Sequence, residues 1–369
     1  MTERRVADES PPWLVLGVGG SKRQQALQAA RAALGLAPAR LVEWRDWLAA
    51  PHALAAAGLA HCRLKIEPPG DDVEAHAALL RLGCEQLGRA PCAPPRHGEL
   101  LATDAWFRGF ELAMERLQRQ LDDTPGAAAV NAPADIVLMT DKWRCQQHLQ
   151  AHGLPTPRPL GPVSGYDEFR ALADRHGLDR LFLKARFGSS AAGVVAWRRN
   201  RRGDEQATTS AHLVEHDGGW RLFNDKRIRS YAKPADIARV IDLVAAQQAY
   251  AEAWVAKPRA GAGHFDLRVL ALAGRPAHRV ARIGLRAMTN LHLDSRRADP
   301  ATLMTAAERE LMDDTVTLAA ASLPRSQLIG FDLVVRGRHA HVLEANAFGD
   351  LLPGLLWHGQ DSYAAAAQA

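Results

Sequence analysis

Apolar positions along this chain come in short runs broken by glycine, proline and charge, the pattern of strands alternating with amphipathic helices. Trp13-Leu14-Val15-Leu16-Gly17-Val18 reads as a buried strand ending in Gly19-Gly20. Ser21 and Gln24 stand at capping-box spacing, and Ala26, Leu27, Ala30 and Leu34 recur at helical intervals until Gly35. Leu41-Val42-Glu43-Trp44 supplies a second strand, so residues 1–130 predict a small α/β domain with parallel pairing. Further helices are predicted around Ala75, Ala78, Leu79 and Leu82 and from Trp106 to Leu121, and Asp122-Asp123-Thr124-Pro125-Gly126 marks a domain boundary.

Beyond that boundary a helix is predicted from Asp141 to His152, stopped by Gly153 and Pro155. Lys142 falls in its first turn, where a cation opposes the helix dipole, a placement that a phosphate partner would explain. Leu181-Phe182-Leu183-Lys184 and Val194-Val195-Ala196-Trp197 predict strands on either side of Arg186-Phe187-Gly188-Ser189-Ser190-Ala191-Ala192-Gly193. The backbone N–H groups of such a loop can wrap phosphates, with Lys184 as a nearby point charge; an ordinary Gly/Ser hairpin is the alternative.

Two hairpins in the last third carry the strongest chemistry. Ile329 to Val335 and Ala340 to Ala345 flank Arg336-Gly337-Arg338-His339, and a turn centred on Arg338 puts Asp332 opposite Glu344. Period two adds Asn346 to their face and turns Phe331, Leu333, Val335 and Leu343 towards a core. Facing carboxylates repel unless a cation lies between them, and Mg2+ takes hard oxygen ligands from one or two carboxylates together with phosphate and water. In the second hairpin, Phe265 to Leu270 and His278 to Arg282, a turn near Arg275 makes Arg268 and Arg282 face each other, which requires a shared anion; a one-residue slip would replace Arg282 by Arg279.

Composition excludes more than it selects. The 369 residues are 47% hydrophobic and 24% charged, the band of ordinary globular chains, with no apolar stretch long enough to span a membrane and no secretory leader pattern near the start, so a cytoplasmic protein is expected. Cys62, Cys84, Cys92 and Cys145 show no metal-ligand spacing and are expected to be reduced and structural. A net charge of +5 is spread along the chain; its one cluster, Arg198-Arg199-Asn200-Arg201-Arg202, is followed by Gly203-Asp204 and reads as a solvated turn, so no nucleic-acid partner is expected. Gly17-Val18-Gly19-Gly20 has Lys22 where a dinucleotide fingerprint carries its third glycine, leaving a nicotinamide enzyme as the weakest alternative.

From about Asn131 to Tyr363 the sequence resembles the ATP-grasp enzymes, nearest in pattern to ribosomal-protein glutamate ligases and glutathione synthetases. The resemblance implies an α/β architecture, with an N-terminal pre-ATP-grasp domain (1–130), an ATP-grasp central lobe (131–250) and a C-terminal lobe with a metal site (251–369). It implies Lys142 and Lys184 as phosphate lysines, Gly188, Ser189, Ser190 and Gly193 as the flexible loop, and Glu252-Ala253-Trp254-Val255 as the adenine-reading segment. The family's Asp-x-Arg matches Asp266-Leu267-Arg268, its later strand arginine matches Arg282, and its metal triad matches Asp332, Glu344 and Asn346. Arg286 and Asn290, with His264 and His292, are acceptor-pocket candidates, yet Thr289-Asn290-Leu291-His292 here lacks the relatives' paired glycines, and Asn346-Ala347-Phe348-Gly349 departs from the glutamate ligases' shorter motif.

The activity so implied is an ATP-dependent ligase joining a carboxylate to an amine through an acyl phosphate, with ATP and Mg2+ or Mn2+ as cofactors and small molecules or peptides as substrates. A kinase that stops at phosphoryl transfer and a nucleotide-binding module without turnover are the alternatives.

Overall fold

Strand β1 (Trp13–Gly17) is buried along its whole length because helices cover both faces of its sheet. The computed structural model describes residues 11–70, 72–91, 93–188, 192–289, 295–349 and 352–368, so the expectations for Ser189, Ser190, Asn290 and His292 lie outside the described residues. After β1 come α1 (Lys22–Ala33), whose N-cap Ser21 accepts from the Gln24 N–H, β2 (Arg40–Glu43), α2 (Trp44–Ala49), α3 (Ala53–Ala56) and β3 (Arg63–Ile66). They are followed by α4 (Val73–Gln86), α5 (Thr103–Asp122) and β4 (Ala128–Ala129). The sheet is parallel in the order β2-β1-β3-β4. Alternation divides β1 between two cores: Leu14 and Leu16 join Phe107 and Phe110, while Trp13 and Val15 join Leu27 and Ala30. Helices α4 and α5 pack at backbone distance, since a Cβ on Gly83 would meet the Ala105 carbonyl oxygen at 1.7 Å.

The next segment opens with α6 (Pro133–Thr140) and α7 (Lys142–Ala151). An antiparallel sheet follows, built from β5 (Pro159–Val163), β6 (Arg180–Ala185), β7 (Val194–Arg199), β8 (Glu205–His216), β9 (Gly219–Tyr231) and β10 (Ala249–Ala253), in the order β5-β10-β6-β7-β8-β9. Helices α8 (Tyr166–Arg175) and α9 (Pro234–Ala245) cover one face, where Phe169, Ile237 and Val240 meet Leu181, Leu183 and Trp197. Strict alternation in β6 leaves Phe182 and Lys184 on the other face. Arg201 and Arg202 lie in the exposed turn after β7, as their neighbours Gly203 and Asp204 predict.

A third sheet has the order β14-β13-β12-β15-β16, from β12 (Gly263–Leu272), β13 (Arg275–Gly284), β14 (Arg296–Ala298), β15 (Leu328–Arg336) and β16 (His339–Asn346), with the short β11 (Arg259–Ala260) on β12. Helix α10 (Ala306–Ala321) enters through a complete Thr305/Glu308 capping box and places Met312, Val316 and Ala319 in the core behind this sheet. That core is continuous with the one beneath β1, whereas the second sheet has its own. The chain returns to its beginning with α11 (Ser362–Gln368), which packs Tyr363 and Ala366 against the α1 side of the first sheet.

Candidate active site

Asp332 and Glu344 do face each other across β15 and β16, but by a different local route from the one the hairpin pattern predicts. The turn is the two-residue Gly337-Arg338, with Arg336 paired to His339, and the register then shifts by one between Asp332 and Leu333. Leu343 is the extra residue, so it borders the cleft instead of entering the core, and Val342 and Ala345 take the core positions beside Phe331, Leu333 and Val335.

The β12–β13 register corrects a second expectation. Leu272 pairs with Arg275 around Ala273-Gly274, both at positive φ, and an irregularity at Leu270 follows. Arg282 therefore stands opposite Asp266, and Arg268 opposite Val280; the arginines are same-face diagonal neighbours and do not face one another. Arg279 lies on the other side, bound to Asp313 at 2.8 Å and stacked over Trp357. The shared anion that two close guanidiniums require is Asp332 itself. Arg268 reaches both its oxygens, through Nε and through Nη2 at 3.0 Å, while Arg282 Nη2 reaches Oδ2 at 3.1 Å and Arg282 Nε binds Asp266 Oδ1 at 2.8 Å. All four side chains are buried. Burial alone would raise the Asp332 carboxyl, but Arg268 and Arg282 override it and hold it at about 2, and the two carboxylates in turn raise the Arg282 guanidinium above its ordinary value against the opposing effect of burial.

Lys142 stands at the first residue of α7, whose N-cap is Asp141. Its Nζ lies 2.9 Å from Glu344 Oε1 and donates to the Gly188 carbonyl oxygen at the start of the glycine-rich loop. Wholly buried Asp141 binds Arg186 from β6's end, Nε to Oδ1 at 3.1 Å, which ties the start of α7 to the end of β6. At the other end of the loop Gly193 has φ +69° and its carbonyl accepts from the Ala185 N–H at 2.8 Å; a Cβ there would sit 2.7 Å from the Ala185 Cβ. Lys184 binds Glu252 at 2.6 Å, and Gln146 Nε2 donates to the same carboxylate at 3.2 Å. Burial pushes the Glu252 carboxyl above its usual range despite the Lys184 charge.

Part of this network borders a cleft, open to solvent, between the second and third sheets. Lys184, Glu252, Val255, Asp266, Arg282, Asp332 and Glu344 border it. Phe182 borders it too, with Trp254 against its ring at 4.9 Å. Ala253 and Trp254 use their N–H groups on the Arg158 and Arg180 carbonyls. Asn346 pairs with Gly330 and donates its amide to that carbonyl at 3.1 Å. Arg286 is exposed and donates to the Ile228 carbonyl of β9 at 3.0 Å, bridging the two sheets outside the cleft lining. Cys145 is buried in the core, where burial above all pushes its thiol up to about 12.

No family model matches the chain, and no curated protein matches it in sequence. Solved structures do match over nearly its whole length. The ATP-grasp ligase PsnB, complexed with a phosphomimetic precursor variant, Mg and ADP, is 15% identical with a TM-score of 0.51, covering 97% of this chain and 98% of that one. This chain has the ATP-grasp fold. The biotin carboxylase domain of 2-oxoglutarate carboxylase from Hydrogenobacter thermophilus, with MgADP and bicarbonate, gives 15% identity and a TM-score of 0.53 over 97% of this chain and 69% of that one. N5-carboxyaminoimidazole ribonucleotide synthetase from Thermus thermophilus gives 15% and 0.50 over 90% and 71%. Among the described residues of this ATP-grasp chain no helix is long and apolar enough to cross a membrane.

Two cleft residues of the ATP-grasp fold escape the sequence patterns. Lys257 Nζ binds Asp266 Oδ2 at 2.9 Å and the Thr289 hydroxyl at 2.6 Å, and Thr289 donates to the same Asp266 oxygen at 2.5 Å. Burial lowers the Lys257 amine below its ordinary value, more than Asp266 raises it. A lone lysine ahead of Pro258 in a loop has no periodicity to mark it; its one signal is its place just after Glu252-Ala253-Trp254-Val255.

Proposed function

We propose that the protein is an ATP-dependent ligase that activates a carboxylate as an acyl phosphate and transfers the acyl group to an amine. The observation that carries this reading is the facing pair Asp332 and Glu344 on a cleft that Lys184 and Arg282 also border, with Arg268 bound to Asp332 and Lys142 to Glu344. In ATP-grasp terms, Lys142 and Lys184 hold the phosphates together with the loop that begins at Gly188. Val255 and the preceding Glu252-Ala253-Trp254 form the adenine wall, with Phe182 beside it.

The donor set fits a divalent metal. Among the described residues no three His, Cys, Asp or Glu side chains converge, which leaves two carboxylates and an amide, hard oxygens of the kind Mg2+ or Mn2+ takes alongside phosphate and water. The Asn346 bond to Gly330 uses the donor end of its amide and so leaves Oδ1 as the ligand atom. Asp332, Glu344 and Asn346 would hold that ion. When bound, it supplies charge compensation for phosphoryl transfer.

The remaining chemistry belongs to the chain. A substrate carboxylate oxygen attacks the γ-phosphorus as the bond to the bridging oxygen of ADP breaks, and the resulting acyl phosphate is attacked at its carbonyl by the amine, with phosphate as leaving group. Arg282, held by Asp266, is preorganised to stabilise the charge that builds on the transferred phosphoryl group and on the tetrahedral oxygen.

The test is release of ADP and phosphate from Mg-ATP against a panel of amino acids, small carboxylates and short peptides, with Glu344→Ala alongside. Turnover that needs both a carboxylate and an amine, and is lost in the variant, supports the ligase. ADP formed without an amine marks a kinase, and nucleotide bound without consumption marks a binding module.

A further inference from the structure

Arginine is the default cation of this chain; seven of its 46 basic residues are lysine. Two of the seven, Lys184 and Lys257, line the cleft, and a third, Lys142, pairs with Glu344 on its border. Lys142 and Lys184 have counterparts in the sequence resemblance, whereas Lys257 has none. A compact ammonium kept where arginine is the rule points to a need for a point charge with three freely directed donors.

Two of those donors are engaged within the protein, one on Asp266 Oδ2 at 2.9 Å and one on Thr289 Oγ1 at 2.6 Å. Among the described residues no third acceptor lies within hydrogen-bond distance of Nζ, and the side chain, 12% exposed, borders the cleft. Arg282 takes the other oxygen of Asp266 at 2.8 Å, so Lys257 and Arg282 bracket a single carboxylate on the cleft floor. Lys142 with Glu344 and Lys184 with Glu252 are balanced pairs. Lys257, Arg268 and Arg282 outnumber Asp266 and Asp332 by one, so the floor carries a positive charge that a bound anion would balance.

We propose that Lys257 donates its third N–H to the carboxylate substrate, so that Lys257 and Arg282 together seat that carboxylate and the acyl phosphate it becomes. The proposal rests on the ligase reading above.

Trace acetylation of the intact protein with deuterated acetic anhydride, whose label is distinct in mass from any acetyl group taken from acetyl phosphate, read lysine by lysine by mass spectrometry, tests it without a variant. The probes are Mg-ADP, Mg-AMPPNP, and Mg-ADP with acetyl phosphate as the acyl phosphate. Mg-ADP is expected to protect Lys142 and Lys184, and labelling of Lys257 is expected to fall only when acetyl phosphate is added, roughly tenfold at about ten times its Kd. Protection of Lys257 by Mg-AMPPNP alone would assign it to the nucleotide and overturn the proposal. So would a Lys257 that acetyl phosphate leaves labelled, or one that the reagent never reaches in the free protein, since an amine closed to acetic anhydride is closed to a substrate. If instead Lys142 and Lys184 stay labelled with every nucleotide, it is the ATP reading that fails.

Discussion

Glu344 stands opposite Asp332 across the β15–β16 ladder because Leu343 is an extra residue on β16. The two carboxylates are not left facing each other uncompensated. Asp332 is clamped by Arg268 and Arg282, and Glu344 is turned to Lys142, so each of the two carboxylates already has a cationic partner.

Arg282 is proposed as the preorganised donor of the cleft floor, and removal of one such donor typically costs on the order of 10² to 10³ in rate. Arg282→Ala is expected to bind AMPPNP and to turn over slowly. A kcat equal to the wild type would remove Arg282 from the chemistry.

Glu344→Gln keeps the size of the side chain and removes its charge. Mn2+ binding in the presence of AMPPNP, followed by electron paramagnetic resonance, is expected to weaken by more than the roughly 10- to 100-fold that loss of an outer-shell partner costs, because Glu344 is proposed as a direct ligand. Unchanged Mn2+ affinity would place the metal elsewhere.

Asp332 titrates at about 2 in the folded protein against an ordinary 3.8, held there by Arg268 and Arg282 against the opposing effect of burial. Its folded value is depressed, so the unfolded chain binds the proton more tightly. The pair's contribution is present above the ordinary value and is lost as pH falls through it towards 2, and it amounts to about 2 kcal/mol. Urea unfolding across this window is expected to show stability falling with acid, with a shallower fall in Asp332→Asn.

Lys184, partly exposed on the cleft, pairs with the buried Glu252, and loss of the lysine leaves that carboxylate without its counter-charge at a cost of about 1–3 kcal/mol. Lys184→Met is expected to lower the melting temperature, and Lys184→Met with Glu252→Gln to recover much of the loss. A double variant no more stable than the single one would mean that packing, not charge, is what Lys184→Met disturbs.

Cys145, its thiol pushed up to about 12 chiefly by burial, is expected to resist iodoacetamide in the folded protein at about pH 8 and to react in denaturant. Peptide mass spectrometry distinguishes the two states.

Much of this molecule is legible without coordinates where the signal is local. The strand at Trp13, the helix from Lys142 and the strands β6 and β7 follow from apolar periodicity, caps and turns, because each depends on neighbours a few residues away, whereas Asp332 meets Glu344 only through the Leu343 bulge, which periodicity does not mark. The α/β class and the resemblance carried by spaced motifs are legible for the same reason. The partner of each charge is not. A two-residue turn at Ala273-Gly274 decides that Arg282 meets Asp266 and not Arg268, and one extra residue decides that Leu343 lines the cleft, since a register is set by turn geometry that hydrophobic pattern leaves open. Lys257 with Thr289, Asp141 with Arg186, and Gly83 against the Ala105 carbonyl are meetings of residues far apart in the chain. Such contacts are chosen when buried charges must find counter-charges and helices must close the space between them, and only the packed chain makes that choice.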